Sequence, residues 1–338
     1  MSIPALTVAL SVYNGGRYLS EAIASVRGQT FADFEFLILD DGSTDETAAI
    51  IARHAAEDPR IRPISRENRG LVASLNQLLH EARAPVIARM DADDRCHPER
   101  FDRQLSFLAA HPDHGVVGCW NDHIDEAGRP CEIDGPDHAT DHSGILAMIA
   151  AGLTPLSHPT VCYRRDVVQA VGGYHPAFRH CEDYDLWLRL ASRTRLANLP
   201  ERLLSYRRHE GQVSSRHVIE QTMGAAVARL AWREREAGRP DPTEQLDRLP
   251  PLADLDTLFG RAGVGRGVRA EVVQALVYSE ACASEAWLAF AAGHLRDGGV
   301  RTGLWRTAGR LVRLGQPRAA LRLARSLLAP VGSGISPV

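Results

Sequence analysis

Arg89-Met90-Asp91-Ala92-Asp93-Asp94 follows directly on Val86-Ile87-Ala88, a short apolar segment after Pro85 that reads as a buried strand. After it comes His97-Pro98-Glu99-Arg100, a helix start with Pro at the first helical position and an acid beside it. Three carboxylates are thereby placed where a strand ends. Like charges this close raise one another's pKa unless a cation screens them. A cluster of oxygen donors without His or Cys suits Mg²⁺ or Mn²⁺. The same residues also suit a solvated acidic loop that caps the next helix.

Toward the N-terminus the pattern of apolar strand and polar turn recurs. Residues 5–12 are a near-continuous apolar run, as in a strand covered on both faces, and end in the turn residues Tyr13-Asn14-Gly15-Gly16. Tyr18, Leu19, Ala22, Ile23 and Val26 then repeat at helical spacing. Residues 34–39 are a second strand, which runs into Asp40-Asp41-Gly42-Ser43-Thr44-Asp45, and 45–56 form the next helix. Ile61-Arg62-Pro63-Ile64 is a short strand whose proline argues for a sheet edge. Asn68-Arg69-Gly70 turns into a helix over 71–82, and strand 86–90 follows. This alternation predicts an α/β fold, a doubly wound and mostly parallel sheet with helices on both faces. Ligands on such sheets bind at the carboxyl ends of strands. The turn 13–16 and the acidic stretches 40–41 and 91–94 all fall at such ends.

Further on, 115–120 and 159–163 read as strands, 134–143 as a polar, mobile loop, and Gly172-Gly173-Tyr174 as a helix break. Glu182-Asp183-Tyr184-Asp185 opens a helix with Leu186, Trp187, Leu190 and Ala191 on its apolar side. Carboxylates in a first turn favour the helix dipole, so capping alone accounts for them. Residues 203–209 are a final strand. The pattern then changes to helix over 218–236, a Pro- and Gly-rich linker over 238–251, and an all-helical region from 252 onward.

Composition excludes several classes. Of 338 residues, 39 are basic and 42 acidic, a net charge of −3, so no global field attracts nucleic acid. Every basic residue is Arg, which excludes a Walker lysine, a pyridoxal Schiff base and a lysine nucleophile. Six cysteines without a CxxC pair read as reduced thiols, and no signal pattern opens the chain, so a cytoplasmic location is expected. No stretch of membrane-spanning length is free of charge. The last two helices, near 301–314 and 317–329, interleave Arg301, Arg306, Arg310, Arg313, Arg318, Arg322 and Arg325 with Leu and Trp. Such helices suit peripheral contact with the anionic inner face of a membrane; they equally suit a packed hairpin with solvated arginines, the reading favoured here.

Taken together, eight constellations stand in order. They are Ser11-Val12-Tyr13-Asn14, Gln29-Thr30, Asp40–Asp45, Asn68-Arg69-Gly70, Asp91–Asp94, His158-Pro159-Thr160 with Gly172-Gly173-Tyr174, Glu182–Trp187, and Tyr206-Arg207-Arg208-His209. Their order and spacing over about residues 5–215 resemble family 2 glycosyltransferases, the inverting enzymes of the GT-A fold. The resemblance implies a GT-A nucleotide-sugar-binding and catalytic domain over 1–215, followed by a helix and linker (216–251) and a helical C-terminal region (252–330). It implies Mn²⁺ or Mg²⁺ as cofactor, a nucleotide-diphosphate sugar, with a lean to UDP, as donor, and a glycan or lipid-linked acceptor.

By the same resemblance Asp41 binds the nucleobase, within a nucleotide site of Val12, Tyr13, Asn14, Asp41, Asn68, Asp91 and Arg207. Asp91 and Asp93 match the DxD pair, with Asp93 the more direct metal ligand. His209 is a further metal or phosphate contact, or a solvated strand-end histidine. Asp183 matches the general base and Glu182 orients it or caps the helix. Because Asp183 opens a helix, the dipole is expected to keep it ionised without a raised pKa. Processive members carry Q-x-x-R-W; here Gln212-Val213-Ser214-Ser215-Arg216-His217 lacks the spacing and the Trp, which implies single addition. Two other classes compete. A nucleotidyltransferase also uses paired Asp residues but should show a basic, Gly-rich phosphate loop, and residues 12–17 are a poor one. A non-catalytic nucleotide-sugar-binding module would not need Asp183.

Overall fold

A computed structural model describes residues 3–132, 137–209 and 217–329. The chain divides into two compact units, one of residues 1–176 and 182–212, the other of residues 177–181 and 213–338. The expected loop over 134–143 lies partly, and the Gln212–Arg216 stretch wholly, outside the described residues.

The first unit begins with the predicted alternation: β1 (Leu6–Val12), α1 (Gly16–Arg27), β2 (Phe34–Asp40), α2 (Thr47–Glu57), β3 (Ile61–Ser65), α3 (Leu71–Glu81) and β4 (Val86–Met90). β1 pairs in parallel with both β2 and β4, and β2 with β3. Every residue of β2 and β4 is buried, and all but Ser11 of β1, as expected of strands covered on both faces. α1 packs Leu19, Ala22, Ile23 and Val26 into that core, one stripe at helical spacing. Burying each of the larger side chains contributes roughly 1.5–3 kcal/mol. Pro63 does lie on an edge strand, since β3 ends the sheet.

The second half follows as β5 (Arg95–Cys96), α4 (Arg100–Ala110), β6 (His114–Ile124), α5 (His142–Ala150), β7 (Cys162–Arg164), α6 (Arg165–Ala170), α7 (Glu182–Ala191) and β8 (Arg195–Arg207). The sheet runs β3-β2-β1-β4-β7-β6-β8-β5. β7 is antiparallel to β4 and β6, β5 is antiparallel to β8, and β6 and β8 are parallel with bulges near Trp120. The sheet is therefore mixed, with its continuous parallel run on the N-terminal side. The strand expected over 159–163 is displaced: His158–Thr160 is a 3-10 turn and pairing starts at Cys162. α5, capped by Asp141, adds a helix that the sequence pattern does not announce, and β8 is longer than the predicted 203–209.

The second unit is helical. It contains α8 (Val218–Glu236), the short α9 (Leu255–Leu258), α10 (Val264–Leu276), α11 (Glu285–Arg296), α12 (Leu304–Arg313) and α13 (Pro317–Leu328), with neither helix nor strand over 238–251. Its core holds Val272, Val273, Leu276, Trp287, Leu288, Leu304, Leu311, Leu323 and Leu327. α12 and α13 thus pack as a hairpin. No helix among the described residues is long and apolar enough to cross a membrane.

Candidate active site

The carboxyl ends of β1, β2 and β4 meet at one edge of the sheet because those strands are parallel neighbours. Asn14 sits in the left-handed region (φ 51°) just past β1. Its backbone N–H donates to Ser43 Oγ at 2.8 Å, and its Oδ1 accepts from Thr44 N at 2.8 Å. Gly15 N and Gly16 N donate to Thr47 Oγ1 and Asp45 Oδ2. The turn after β1 is thereby laced to the turn after β2. Val12 is buried in this junction, while Tyr13 is 54 % exposed and Asn68 also lies at the surface.

Asp41 is buried and held by three groups. Its Oδ1 accepts from Arg66 Nε at 2.9 Å and Arg69 N at 3.0 Å, and Oδ2 accepts from Gly70 N at 2.8 Å. A carboxylate offers about two lone pairs per oxygen, so Oδ2 keeps one for a further donor. Gly42 (φ 79°) makes this approach feasible: a Cβ there would lie 2.7 Å from Asn68 N.

Asp91, Asp93 and Asp94 place carboxyl oxygens within 4.8 Å of one another. Asp94 is buried; its Oδ1 accepts from Arg207 N at 2.9 Å, and its Oδ2 has no partner among the described residues. Burial and then the charges of Asp91 and Asp93 push the Asp94 carboxyl well above its usual range. Burial also raises Asp91, against the opposing pull of Arg89, with which it forms an ion pair. Asp93 Oδ2 lies 2.9 Å from His209 Nε2. An orphaned, buried carboxylate oxygen amid like charges is what an oxygen-ligated divalent cation would satisfy, so these residues fit the implied metal.

Arg207 is buried, but its guanidinium is already engaged. Nε donates to the Asp93 carbonyl at 2.8 Å, one terminal nitrogen to the carbonyls of Asp125 and Glu126, and the other pairs with Glu21. It also lies 4.5 Å over the Tyr18 ring, against which His209 packs at 5.2 Å. The sequence places Arg207 in the nucleotide site; in the structure its guanidinium ties the Asp93 carbonyl of the acidic turn to the carbonyls of Asp125 and Glu126 and to Glu21.

α7 contributes Glu182 and Asp183. Asp183 is half-buried and its Oδ1 accepts from Tyr184 N at 2.8 Å, a self-cap of the helix. Glu182 is buried, and Oε2 finds no partner among the described residues. Burial, then the Asp183 charge, pushes Glu182 up to about 8. Burial raises Asp183 as well, outweighing its backbone hydrogen bond and Arg89. The expectation that the helix start leaves Asp183 unshifted is therefore corrected: desolvation exceeds the dipole.

Sequence reasoning missed the role of Arg89. This fully buried cation in β4 pairs with Asp91, and its charge also reaches Asp94, Glu182 and Asp183. The signal was visible as a lone Arg inside an apolar strand. The remaining motifs are braces. Gln29 donates to His97 O at 2.7 Å and accepts from Phe101 N at 3.2 Å, fixing the exit of the acidic turn. His158 Nε2 lies 3.0 Å from the Tyr174 hydroxyl, and burial drops the imidazole pKa well below the usual value, so it is neutral. Gly173 (φ 71°) lets Tyr174 exchange two hydrogen bonds with the Asn76 amide.

The description Glycosyl transferase family 2 belongs to the family model that matches residues 7–171. The chain is 36 % identical over 191 residues to the putative glycosyltransferase EpsE of Bacillus subtilis (strain 168), which covers 55 % of this chain and 66 % of EpsE. It is 32 % identical over 214 residues to the amylovoran biosynthesis glycosyltransferase AmsE of Erwinia amylovora, 62 % of this chain and 79 % of AmsE. In fold it is similar to S. aureus TarS 1-349 in complex with UDP-GlcNAc, with a TM-score of 0.58 at 17 % identity over 95 % of this chain and 91 % of that one. This likeness bears out the GT-A expectation for the fold. Motif order, sheet topology and identity to relatives along most of AmsE's length agree: the chain belongs to glycosyl transferase family 2.

Proposed function

We propose that this glycosyltransferase is metal-dependent and inverting, and moves one sugar from a nucleotide-diphosphate donor to an acceptor hydroxyl in polysaccharide or glycoconjugate assembly. The observation that carries this reading is the Asp91-Asp93-Asp94 cluster with its orphaned, buried Asp94 Oδ2. Asp93, Asp91 and Asp94 would hold Mn²⁺ or Mg²⁺, with His209 orienting Asp93 or joining as a ligand. When bound, such an ion neutralises charge on the departing diphosphate. Asp41 Oδ2 accepts an N–H of the base, a donor that uracil offers; the UDP-sugar bound by TarS agrees with that choice. Arg207 acts by positioning the turn 93–94 rather than by touching phosphate.

Asp183 takes the acceptor's proton as the oxygen attacks the anomeric carbon. Buried Glu182, its pKa raised to about 8, holds a proton near neutral pH and so spares Asp183 a second adjacent charge. One base, with no second positioned nucleophile among the described residues, supports direct displacement with inversion. The test is the anomeric configuration of the product, read by NMR coupling constants. A product that retains the donor's configuration would overturn the mechanism.

A second observation favours peripheral membrane contact. From Gly298 onward the sequence has seven arginines and no acid. On the outer side of the α12–α13 hairpin, Trp305, Val312, Leu314, Leu321 and Leu328 are exposed alongside Arg306, Arg313, Arg318 and Arg322. The hairpin buries one face and offers the other to anionic lipid, where each arginine contributes about 1 kcal/mol.

A further inference from the structure

Apart from the acidic cluster, one other group of metal-ligating side chains comes together among the described residues: His180, His217 and Glu220. All three belong to the helical unit. His180 lies on its 177–181 segment, His217 is the N-cap residue of α8, and Glu220 stands in the first turn of that helix. The two imidazoles stack with centroids 4.0 Å apart and planes 5° apart. Glu220 Oε2 is 3.6 Å from His180 Nε2 and 3.4 Å from His217 Nδ1. Ligands about 2.0–2.2 Å from a tetrahedral ion sit roughly 3.3–3.5 Å from each other, close to the two Glu220 separations; the lone pairs of parallel rings lie in parallel planes, so one imidazole turns out of the stack when both bind the ion.

Two further observations set the group apart from a surface ion pair. His180 holds φ 67°, a left-handed conformation that costs a non-glycine residue about 1–2 kcal/mol and clusters at functional positions. Burial, and then the neighbouring His217, depress the His180 pKa. A neutral imidazole presents a lone pair, the form a metal requires. The alternative is a solvated Glu220 that favours the α8 dipole and pairs with whichever ring is protonated.

We propose that His180, His217 and Glu220 bind a Zn²⁺-class ion, with the fourth position left to water, at a site separate from the acidic cluster. The donor chemistry divides the two sites. Two imidazoles and one carboxylate suit Zn²⁺ or Co²⁺, whereas the oxygen-rich acidic cluster suits Mn²⁺ or Mg²⁺. The ion would clip residue 180 to residue 217. The chain between them carries Glu182, Asp183, Arg207 and His209, so the clip closes that stretch into a loop and removes freedom from its unfolded state.

The test uses the full chain without a polyhistidine tag, stripped with chelator and titrated with Zn²⁺ against a chromogenic competitor. One tight equivalent should bind, and it should persist in Asp93→Ala. His180→Ala and His217→Ala should each weaken it by about 100-fold, at or beyond the upper end of the 10–100-fold lost with outer-shell partners. With Co²⁺ the tetrahedral absorption bands should appear in wild type and be lost in the His variants. Zn²⁺ should raise the thermal midpoint of wild type and of Asp93→Ala but not of the His variants, each compared with its own midpoint in EDTA. Should a His variant misfold, Glu220→Gln gives the same readings, since that side chain is 66 % exposed. Tight Zn²⁺ binding that survives the His180→Ala/His217→Ala pair or Glu220→Gln, or its disappearance in Asp93→Ala alone, would overturn the proposal.

Discussion

Replacing Arg89 by Met tests whether one buried cation holds the acidic strand end together. Met keeps the length and apolar stem of the side chain, so the change removes charge with little loss of volume. Arg89 is 4 % exposed, and its partner Asp91 is 29 % exposed at the side chain. Breaking a fully buried pair costs about 3–5 kcal/mol, whereas an exposed pair contributes about 0–1 kcal/mol. Asp91 keeps some contact with water, which lowers the figure. Asp94, 1 % exposed and already short of a partner, raises it. We expect a loss of about 3 kcal/mol at pH 7.5, measured by urea denaturation in EDTA.

The pH dependence gives the sharper check. Without Arg89 the pKa values of Asp91 and Asp94 rise further above their unfolded value. The variant's deficit is then largest where both carboxyls are ionised and shrinks as acid protonates them. Added Mn²⁺ should restore part of the loss, because it supplies the missing positive charge and binds only the folded state. A deficit below about 1 kcal/mol that does not vary between pH 5 and pH 8 would show that water, not Arg89, balances these carboxylates.

Asp183→Asn keeps shape and removes the base; kcat should fall by about 10²–10⁴ with donor affinity little changed, and near-normal turnover would move the base to Glu182 or Asp185. Asp93→Ala should cost about 10²-fold or more in turnover, and full wild-type activity in excess EDTA would refute the metal requirement. Glu182, at 4.5 when unfolded and about 8 in the fold, keeps its proton only in the folded state between those values. Stability from this group is therefore lost as pH rises through that window, and Glu182→Gln should flatten the slope in urea titrations at pH 5 and pH 8. Sedimentation with anionic vesicles should be seen at low salt and vanish at high salt; no sedimentation at low salt would leave the hairpin as a packing element only.

The strand ends were legible because the chemistry there is local. Asp41 and the Asp91–Asp94 turn sit where apolar runs stop, and a parallel sheet must collect those ends at one edge. β7 was misplaced because its three residues owe their conformation to antiparallel neighbours on both sides, and β5 is two residues paired to β8. Pairing partners distant in sequence leave no periodic trace in so short a segment. Arg207 and Arg89 escaped for a related reason. A guanidinium's role depends on which oxygens surround it, and Glu21, Asp93 and Asp125 reach Arg207 from three separate parts of the chain.

The same limit explains the corrected expectation for the Asp183 pKa. A helix start is visible in sequence and favours an ionised Asp183 by about 0.3–1 kcal/mol. Burial is not visible there, and for enclosed carboxyls it moves pKa values by several units. The stronger of the two influences on Asp183 therefore comes from tertiary structure. It leaves two adjacent carboxyls that resist sharing two charges, with Glu182 inward and Asp183 toward the open side. The proposed division of labour between them would follow from that difference in exposure: the enclosed group keeps its proton so that the accessible one can act as the base.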